Sequence, residues 1–319
     1  MISRPTKAVA INVGRVAVAL AIAVAVTIAI RSQWSEVRRT FSELSWLSLA
    51  GSMVLVVLGM GAVVRAWQHV LAELGRPIRA VDASRFYLVG QLGKYLPGSV
   101  WSFVLQMELA RRAGVPRATG FVAVLVTVGL STASALTVGL LGLPALFSYS
   151  ALIAWVVLAA VPAALVCAYP PVLTRLVNLA LKAFRRAPLT ATLTFRGVAS
   201  CFGWCMASWV LYGVSLWLLA SNQSIPGVGG LLECVGALAL AMTAGVLAVI
   251  APSGIGIREA VIVAALTPYM DAGAALGLAL ASRLVFTVAE IALGLGAAVS
   301  GAITLRRSHR SELSITAVG

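Results

Sequence analysis

Charged side chains accompany a break in an otherwise apolar stretch of the sequence, residues 90–114. Lys94 precedes the break Pro97-Gly98-Ser99, and Glu108 follows it. Proline ends a helix, glycine permits a reversal, and serine caps the start of the next helix. A helix start carries about half a positive charge and unpaired backbone N–H groups, so it favours anions. With Lys94 close by, the pattern predicts a site for a phosphate.

A second stretch, residues 247–266, repeats the pattern: a break is followed by a short predicted helix whose first turn contains charged residues. The break contains Pro252, Ser253, Gly254 and Gly256, and the charged pair is Arg258 and Glu259. Paired interruptions in two halves of a membrane protein point to a transporter's binding site. Glycine and proline are also more frequent in membrane helices than in soluble ones, so either motif alone is open to a purely structural interpretation.

Arg283 and Glu290 lie inside the last long apolar run, seven residues apart and hence on one helix face. A charge at this depth costs at least about 2.5 kcal/mol, so each should face a partner or a wet cavity. Either they form a structural network with Arg258 and Glu259, or the cations neutralise phosphate while the carboxylates orient them or carry a coupling proton. The residues predicted to bind this phosphate, as the headgroup of a lipid, are Lys94, Pro97, Gly98, Ser99, Glu108, Pro252, Ser253, Gly254, Gly256, Arg258, Glu259, Arg283 and Glu290.

The composition is that of an integral membrane protein. Of 319 residues, 61% are hydrophobic and only 11% are charged. Apolar runs recur along the chain, and a helix of about 20 residues crosses a bilayer. We therefore expect an all-α, polytopic fold of about eight transmembrane helices. The predicted spans are residues 8–30, 48–70, 118–141, 150–169, 198–220, 231–250, 256–270 and 273–303, in a single domain of residues 1–319 with two possible structural repeats at about 48–141 and 198–303.

The net charge of +14 comes from basic residues in the connections between apolar runs. Such clustering is a topology signal and gives no reason to expect nucleic acid. It predicts that the N-terminus, the C-terminal tail after residue 303, and the two basic connections, residues 65–117 and 170–197, face the cytoplasm of a bacterial inner membrane.

The two arms around Pro97-Gly98, residues 84–96 and 99–112, are too short to cross a bilayer, and arginines flank both outer ends. These features predict a re-entrant helical hairpin surrounded by protein or a wet cavity. The alternative is an amphipathic pair of helices lying on the cytoplasmic surface.

Recognisable catalytic and cofactor motifs are missing from the sequence. It has no G-x-x-x-x-G-K-[ST] loop for nucleotides, and its only histidines are His69 and His309. We therefore expect no cofactor, no metal site and no enzymatic activity. An enzyme acting on a polyprenyl-phosphate lipid is the rival hypothesis, with Glu259 and Ser253 as its only plausible starting pair.

Four segments resemble, in order, those of the flippase-like membrane domain of bacterial lysylphosphatidylglycerol synthases: GQLGKYLPGSVW, ELARRAGV, PSGIGIREAV and SRLVFTVAEIALGL. The resemblance implies movement of an aminoacylated phospholipid from the inner to the outer leaflet, while a separate soluble domain makes that lipid. Because the chain ends at Gly319, directly after its last predicted span, we expect the stand-alone form without the aminoacyl-transferring domain.

The expected function is therefore transport of a phosphate-bearing lipid, phospho- or polyprenyl-linked, between leaflets. An accessory protein or enzyme of cell-envelope glycolipid assembly is the alternative. The expected partners are an anionic lipid and the bilayer, with an envelope glycosyltransferase or a second copy of the chain as further possibilities.

Overall fold

The computed structural model describes residues 34–95, 101–183, 185–189, 193–221, 227–247, 254 and 256–316. This part of the chain is built from α-helices, numbered here in chain order, with 3-10 turns at Leu92–Tyr95 and Leu140–Gly142. The helices are α1 (Trp34–Glu43), α2 (Trp46–Glu73), α3 (Ala80–Gln91), α4 (Trp101–Arg112), α5 (Arg117–Gly139), α6 (Leu143–Tyr149), α7 (Ala151–Ala168), α8 (Pro170–Ala183), α9 (Phe195–Ala220), α10 (Gly227–Leu247), α11 (Ile257–Leu266) and α12 (Ala272–Thr316).

Within the described residues, six helical segments are long and apolar enough to cross a membrane: Trp46–Glu73, Arg117–Tyr149, Ala151–Ala168, Phe195–Ala220, Gly227–Val246 and Ala272–Ser300. They confirm the all-α polytopic fold. The predicted first span, residues 8–30, lies outside the described residues. The predicted span 256–270 contains only the ten residues of α11, which extend about 15 Å, half of a hydrocarbon core. The count of eight spans and the topology built on it stay predictions.

Helices α2 and α9 make the most extensive helix pair in the described structure, and α5, α10 and α12 pack around them. Small residues let these helices approach closely, as is common in membranes. A Cβ atom on Gly213 of α9 would lie 2.2 Å from the Cα of Val235 on α10. A Cβ on Gly236 would lie 2.1 Å from the backbone nitrogen of Gly142. Larger side chains at these glycines would therefore force the helices apart.

Helices α3 and α4 form an antiparallel hairpin around residues 96–100, as the sequence predicts. A Cβ on Gly90 would lie 2.9 Å from the Cβ of Gln106, and one on Gly93 would lie 2.8 Å from the backbone of Trp101 and Ser102. The pairing of 90 with 106 and of 93 with 101–102 shows that the arms run in opposite directions. Each arm is 12 residues long, about 18 Å, and is too short to span a bilayer.

The hairpin lies along α12 and points toward its middle. Near the hairpin's open end, Arg85 donates a hydrogen bond to the carbonyl of Ser300, and at the tip Lys94 contacts Glu290. Ser300 lies near the end of the last apolar run, which continues in the sequence to Leu305, and Glu290 is ten residues before Ser300, a rise of about 15 Å. The tip thus lies about half a hydrocarbon core below Ser300. This depth favours the re-entrant hairpin over the surface-lying pair.

Candidate functional site

The tip of the hairpin supplies the first cation of the site. Lys94 lies in the 3-10 turn that follows α3, and its ammonium group donates to the Oε1 atom of Glu290 on α12. The Glu290 side chain is only 9% exposed, whereas 28% of the Lys94 side chain is accessible. The pair joins the first predicted break to the last span, 196 positions away in sequence.

At the second break, the carboxylate of Glu259 binds two partners. Gly256 adopts a φ of +85°, a left-handed conformation that favours glycine, and caps the start of α11. Its backbone N–H donates to Glu259 Oε2 at 2.7 Å, and Arg283 donates to Glu259 Oε1. The amide of Gly256 is therefore already satisfied inside the protein. An anion at this end of α11 would be bound by side chains rather than by this amide, which corrects the expectation of a free N–H group there.

Close backbone contact fixes the position of this break. Gly254, with a φ of +66°, faces Gly245 of α10, and a Cβ on Gly254 would lie 2.8 Å from the Cα of Gly245. Gly245 near the end of α10 and Gly254 before the start of α11 therefore approach each other at a distance that leaves no room for a side chain.

Arg258 is buried between α11 and α12. Its Nη2 atom donates to the Oγ atom of Ser282 at 3.2 Å, and its guanidinium carbon lies 4.6 Å from the centre of the Phe286 ring. The ring of Phe286 in turn packs edge-on against Tyr212 of α9, with centroids 4.9 Å apart. A cation over an aromatic face is stabilised by the ring quadrupole, which helps to hold the charge away from bulk water.

One face of α12 brings the two breaks together. Arg283 binds the second break and Glu290 binds the first, and the two positions are separated by seven residues, about 10 Å along the helix. Lys94 lies within electrostatic range of both Arg258 and Arg283. We call Lys94, Arg258, Glu259, Arg283 and Glu290 the charge cluster. Three cations and two carboxylates give it a net charge of +1 when all are ionised. The residues of the two breaks that lie outside the described part of the chain are uncharged and do not alter this sum.

A cavity of about 60 Å³ adjoins the cluster, and Glu290 is one of its lining residues. Its lining combines apolar and hydroxyl or amide side chains from α2, α3, α9 and α12: Met60, Tyr87, Leu88, Gln91, Tyr212 and Glu290. A polar cavity needs only about 10–15 Å³ of such volume to hold a water molecule. Glu290 therefore has room for water beside it, despite its burial.

Of the predicted site residues, Glu108 lies outside the cluster. It accepts hydrogen bonds from Arg111 and Arg117 at the open end of the hairpin, and Arg112 is 4.0 Å away. The hydrogen bond from Arg111 is the main cause that lowers the pKa of Glu108 to about 2. Glu108 therefore serves an exposed ion-pair network, not the cations of the charge cluster.

Five predicted residues, Pro97, Gly98, Ser99, Pro252 and Ser253, lie outside the described residues, so their roles stay predictions. Ser282 and Phe286, which contact Arg258, were not among the residues predicted from the sequence. Their spacing could have indicated them, because they precede Glu290 by eight and four residues and therefore share its helix face.

The fold and the charge cluster define a class, the multi-pass α-helical membrane proteins in which broken helices meet at a buried polar cluster. The chain belongs to the family described as Lysylphosphatidylglycerol synthase TM region, whose family model matches residues 14–294. This confirms the resemblance seen in the sequence. A comparison with curated proteins finds no match, so the assignment depends on the family model.

Proposed function

We propose that this membrane protein moves a phosphate-bearing lipid between leaflets and holds the lipid headgroup at the charge cluster. The observation that carries the proposal is the meeting of Lys94, Arg258 and Arg283 at two helix breaks about halfway along the last span. Charged groups inside a membrane protein are costly and mark substrate pathways or structural pairs. An excess of one positive charge favours an anionic ligand over a neutral one.

The ion pairs suggest how a headgroup would be accepted. A phosphate offers the same kind of acceptor oxygens as a carboxylate, so it would compete with Glu290 for Lys94 and with Glu259 for Arg283. Arginine binds phosphate through parallel N–H groups, whereas lysine acts as a point charge. Exchange of a carboxylate for a phosphate would loosen the hairpin tip from α12 while the cations remain neutralised.

Protonation offers a route to the same exchange. A protonated Glu290 or Glu259 loses its charge, and the cation that it binds is then available to phosphate. The cavity beside Glu290 provides a place for water to deliver the proton. In this scheme the acyl chains stay in the bilayer, and only the headgroup crosses through the protein.

We propose that the protein transports lipid and does not act as an enzyme, and that it needs no cofactor. We also propose that it lies in a bacterial inner membrane with both termini in the cytoplasm. An enzyme would need Glu259 as its acid or base, but both oxygens of Glu259 have partners, the amide of Gly256 and the guanidinium of Arg283. An accessory role beside an envelope glycosyltransferase is the alternative, and it predicts that no lipid moves in a system containing this protein alone.

The test is transport in vesicles reconstituted with the purified protein, using fluorescent lipids and a quencher that does not cross the bilayer. We expect Arg258→Gln to slow transport of an anionic lipid by about tenfold to a hundredfold, because a hydrogen bond to a charged group contributes roughly 1.5–3 kcal/mol. A zwitterionic lipid should be affected much less. Arg112→Gln, which removes an exposed arginine 72% accessible to solvent, is the matched control and should leave transport unchanged.

Two results would contradict the proposal. Equal losses for anionic and zwitterionic lipids would show that Arg258 supports the fold and does not recognise charge. An unchanged rate in a correctly folded Arg258→Gln protein would place the headgroup elsewhere.

A further inference from the structure

A basic groove lies on the connection between α7 and α9, apart from the charge cluster. Its volume is about 390 Å³, within the range of roughly 300–1,000 Å³ typical of small-molecule sites. The groove is lined by Arg175, Asn178, Leu179, Lys182, Arg186 and Pro188. The first four residues follow the spacing i, i+3, i+4, i+7 and therefore form one stripe on α8.

The second wall of the groove is the chain that follows α8, and its path is fixed by hydrogen bonds. The N–H of Arg185 donates to the carbonyl of Lys182 at 3.0 Å, and the N–H of Arg186 donates to the carbonyl of Leu181 at 2.8 Å. These two bonds, with Arg185 at a φ of +53°, form the Schellman motif that ends a helix and reverses the chain. The backbone thus turns back alongside the helix that it has just left.

Asn178 holds the returning segment in place. Its Oδ1 atom accepts a hydrogen bond from the backbone N–H of Leu189 at 2.8 Å. This single side chain joins the middle of the stripe on α8 to the segment that carries Arg186 and Pro188. The groove is therefore a built feature, and its shape depends on Asn178.

The cations of the groove are available to a ligand. In the part of the chain that the structure describes, no carboxylate forms an ion pair with Arg175, Lys182 or Arg186. The whole stretch 170–197 has five basic residues and no acidic residue in the sequence.

Apolar side chains stand directly beside these cations. One face of α8 packs into the core through Leu173, Val177 and Leu181, while Leu176 and Leu179 on other faces are 42% and 64% exposed. Apolar side chains next to basic ones are typical of helices that lie in the membrane interface, where the leucines meet acyl chains and the cations meet headgroups. Spans α7 and α9 on either side hold α8 at the end of the bundle.

From this arrangement we propose that the groove binds the phosphate headgroup of an anionic phospholipid in the leaflet that it faces. Arg175, Lys182 and Arg186 bind the phosphate, and Leu179 contacts the glycerol and acyl region. Binding at this surface is independent of transport at the charge cluster. Its role is to attach α8 to anionic membrane, so the bound lipid stays in its own leaflet.

The test is native mass spectrometry of the full chain in detergent, with phosphatidylglycerol or phosphatidylcholine added at equal concentrations. The wild type should retain phosphatidylglycerol preferentially. Lys182→Gln and Arg186→Gln should each weaken this binding about tenfold or more, because each removes a charge-assisted hydrogen bond. Arg185→Gln is the matched control: it removes the same charge from the neighbouring position, outside the groove lining, and should change retention less than twofold, roughly the effect of bulk charge alone.

Two variants of Asn178 test whether binding of phosphatidylglycerol depends on the shape of the groove as well as on its charge. Asn178→Ala keeps every cation but releases the returning segment, and retention of phosphatidylglycerol should fall several-fold. Asn178→Asp keeps the acceptor for the N–H of Leu189, so the turn should stay folded, yet its negative charge should abolish the preference for phosphatidylglycerol.

Three outcomes would overturn the proposal. The first is equal retention of the two lipids by the wild type. The second is an equal effect of Arg185→Gln and Arg186→Gln, which would indicate diffuse electrostatic attraction. The third is displacement of phosphatidylglycerol by millimolar inorganic phosphate, which would indicate a site for the free anion and not for a lipid. The same series is run in the Arg258→Gln background, where binding of anionic lipid at the charge cluster is weakened, so that retention reports the groove and the two proposals fail separately.

Discussion

The Lys94–Glu290 pair allows a ligand-binding role to be separated from a structural one, because its partners differ in burial. Lys94→Gln leaves the buried carboxylate of Glu290, 9% exposed, without this cation. Removal of one partner from a buried pair costs about 3–5 kcal/mol, and we expect the lower end because the Lys94 side chain is 28% exposed. Glu290→Gln leaves a partly accessible cation and an amide that still accepts a hydrogen bond, so its cost should be about 1 kcal/mol.

Lipid binding should follow the opposite order. Lys94→Gln removes a cation that is proposed to bind phosphate, and it should weaken binding of an anionic lipid by about tenfold to a hundredfold. Glu290→Gln removes the carboxylate that competes for Lys94 and raises the net charge of the cluster from +1 to +2. We therefore expect its affinity for anionic lipid to equal or exceed that of the wild type.

The double variant Lys94→Gln/Glu290→Gln completes the comparison. It has neither the buried carboxylate nor the cation, so it should recover most of the stability lost in Lys94→Gln but none of the binding. Stability is measured by thermal unfolding in detergent, and binding by retention of an anionic lipid in native mass spectrometry, with Lys182→Gln and Arg186→Gln present in every variant so that the groove on α8 does not contribute. If affinity simply follows stability across the three variants, Lys94 holds the hairpin to α12 and does not bind phosphate.

Two further predictions concern packing and the hairpin. Gly213→Ala should lower the free energy of unfolding by about 1–3 kcal/mol, because its Cβ would lie 2.2 Å from the Cα of Val235. Gly203→Ala on the same helix meets nothing within 4 Å and should be neutral or slightly stabilising in the same thermal unfolding experiment. Single cysteines at Arg79 and Arg112, in a background without other accessible cysteines, should react with an impermeant reagent from the same side of the membrane. Reaction from opposite sides would show that the segment crosses and is not re-entrant.

The sequence was sufficient for the class of fold and for the shared face of Arg283 and Glu290, because both follow from local patterns. Apolar runs predict spans, proline and glycine predict breaks, and the helical period places positions 283 and 290 on one side. The partners of these residues could not be predicted in the same way. The period shows which residues share a face but not which neighbour that face meets.

Lys94 and Glu108 illustrate this limit. Both accompany the first break, and both were expected at the headgroup. The fold places Lys94 at the hairpin tip beside Glu290, while Glu108 lies two turns up the returning arm among Arg111 and Arg117. The difference arises from where the reversal falls relative to α12, and that position depends on contacts between segments nearly 200 positions apart in sequence.

Arg283 and Glu290 lie on one uninterrupted helix, so α12 couples the two breaks mechanically. A helix without proline is stiff over the two turns that separate these residues, so their side chains move as one body. A tilt or axial slide that pulls Glu290 from the first break must also displace Arg283 at the second. Under the proposed function, a headgroup bound at one break would change the affinity at the other, and the factor would be the same in both directions, as reciprocity of binding free energies requires. The two breaks, which are far apart in sequence, would thereby respond together through α12.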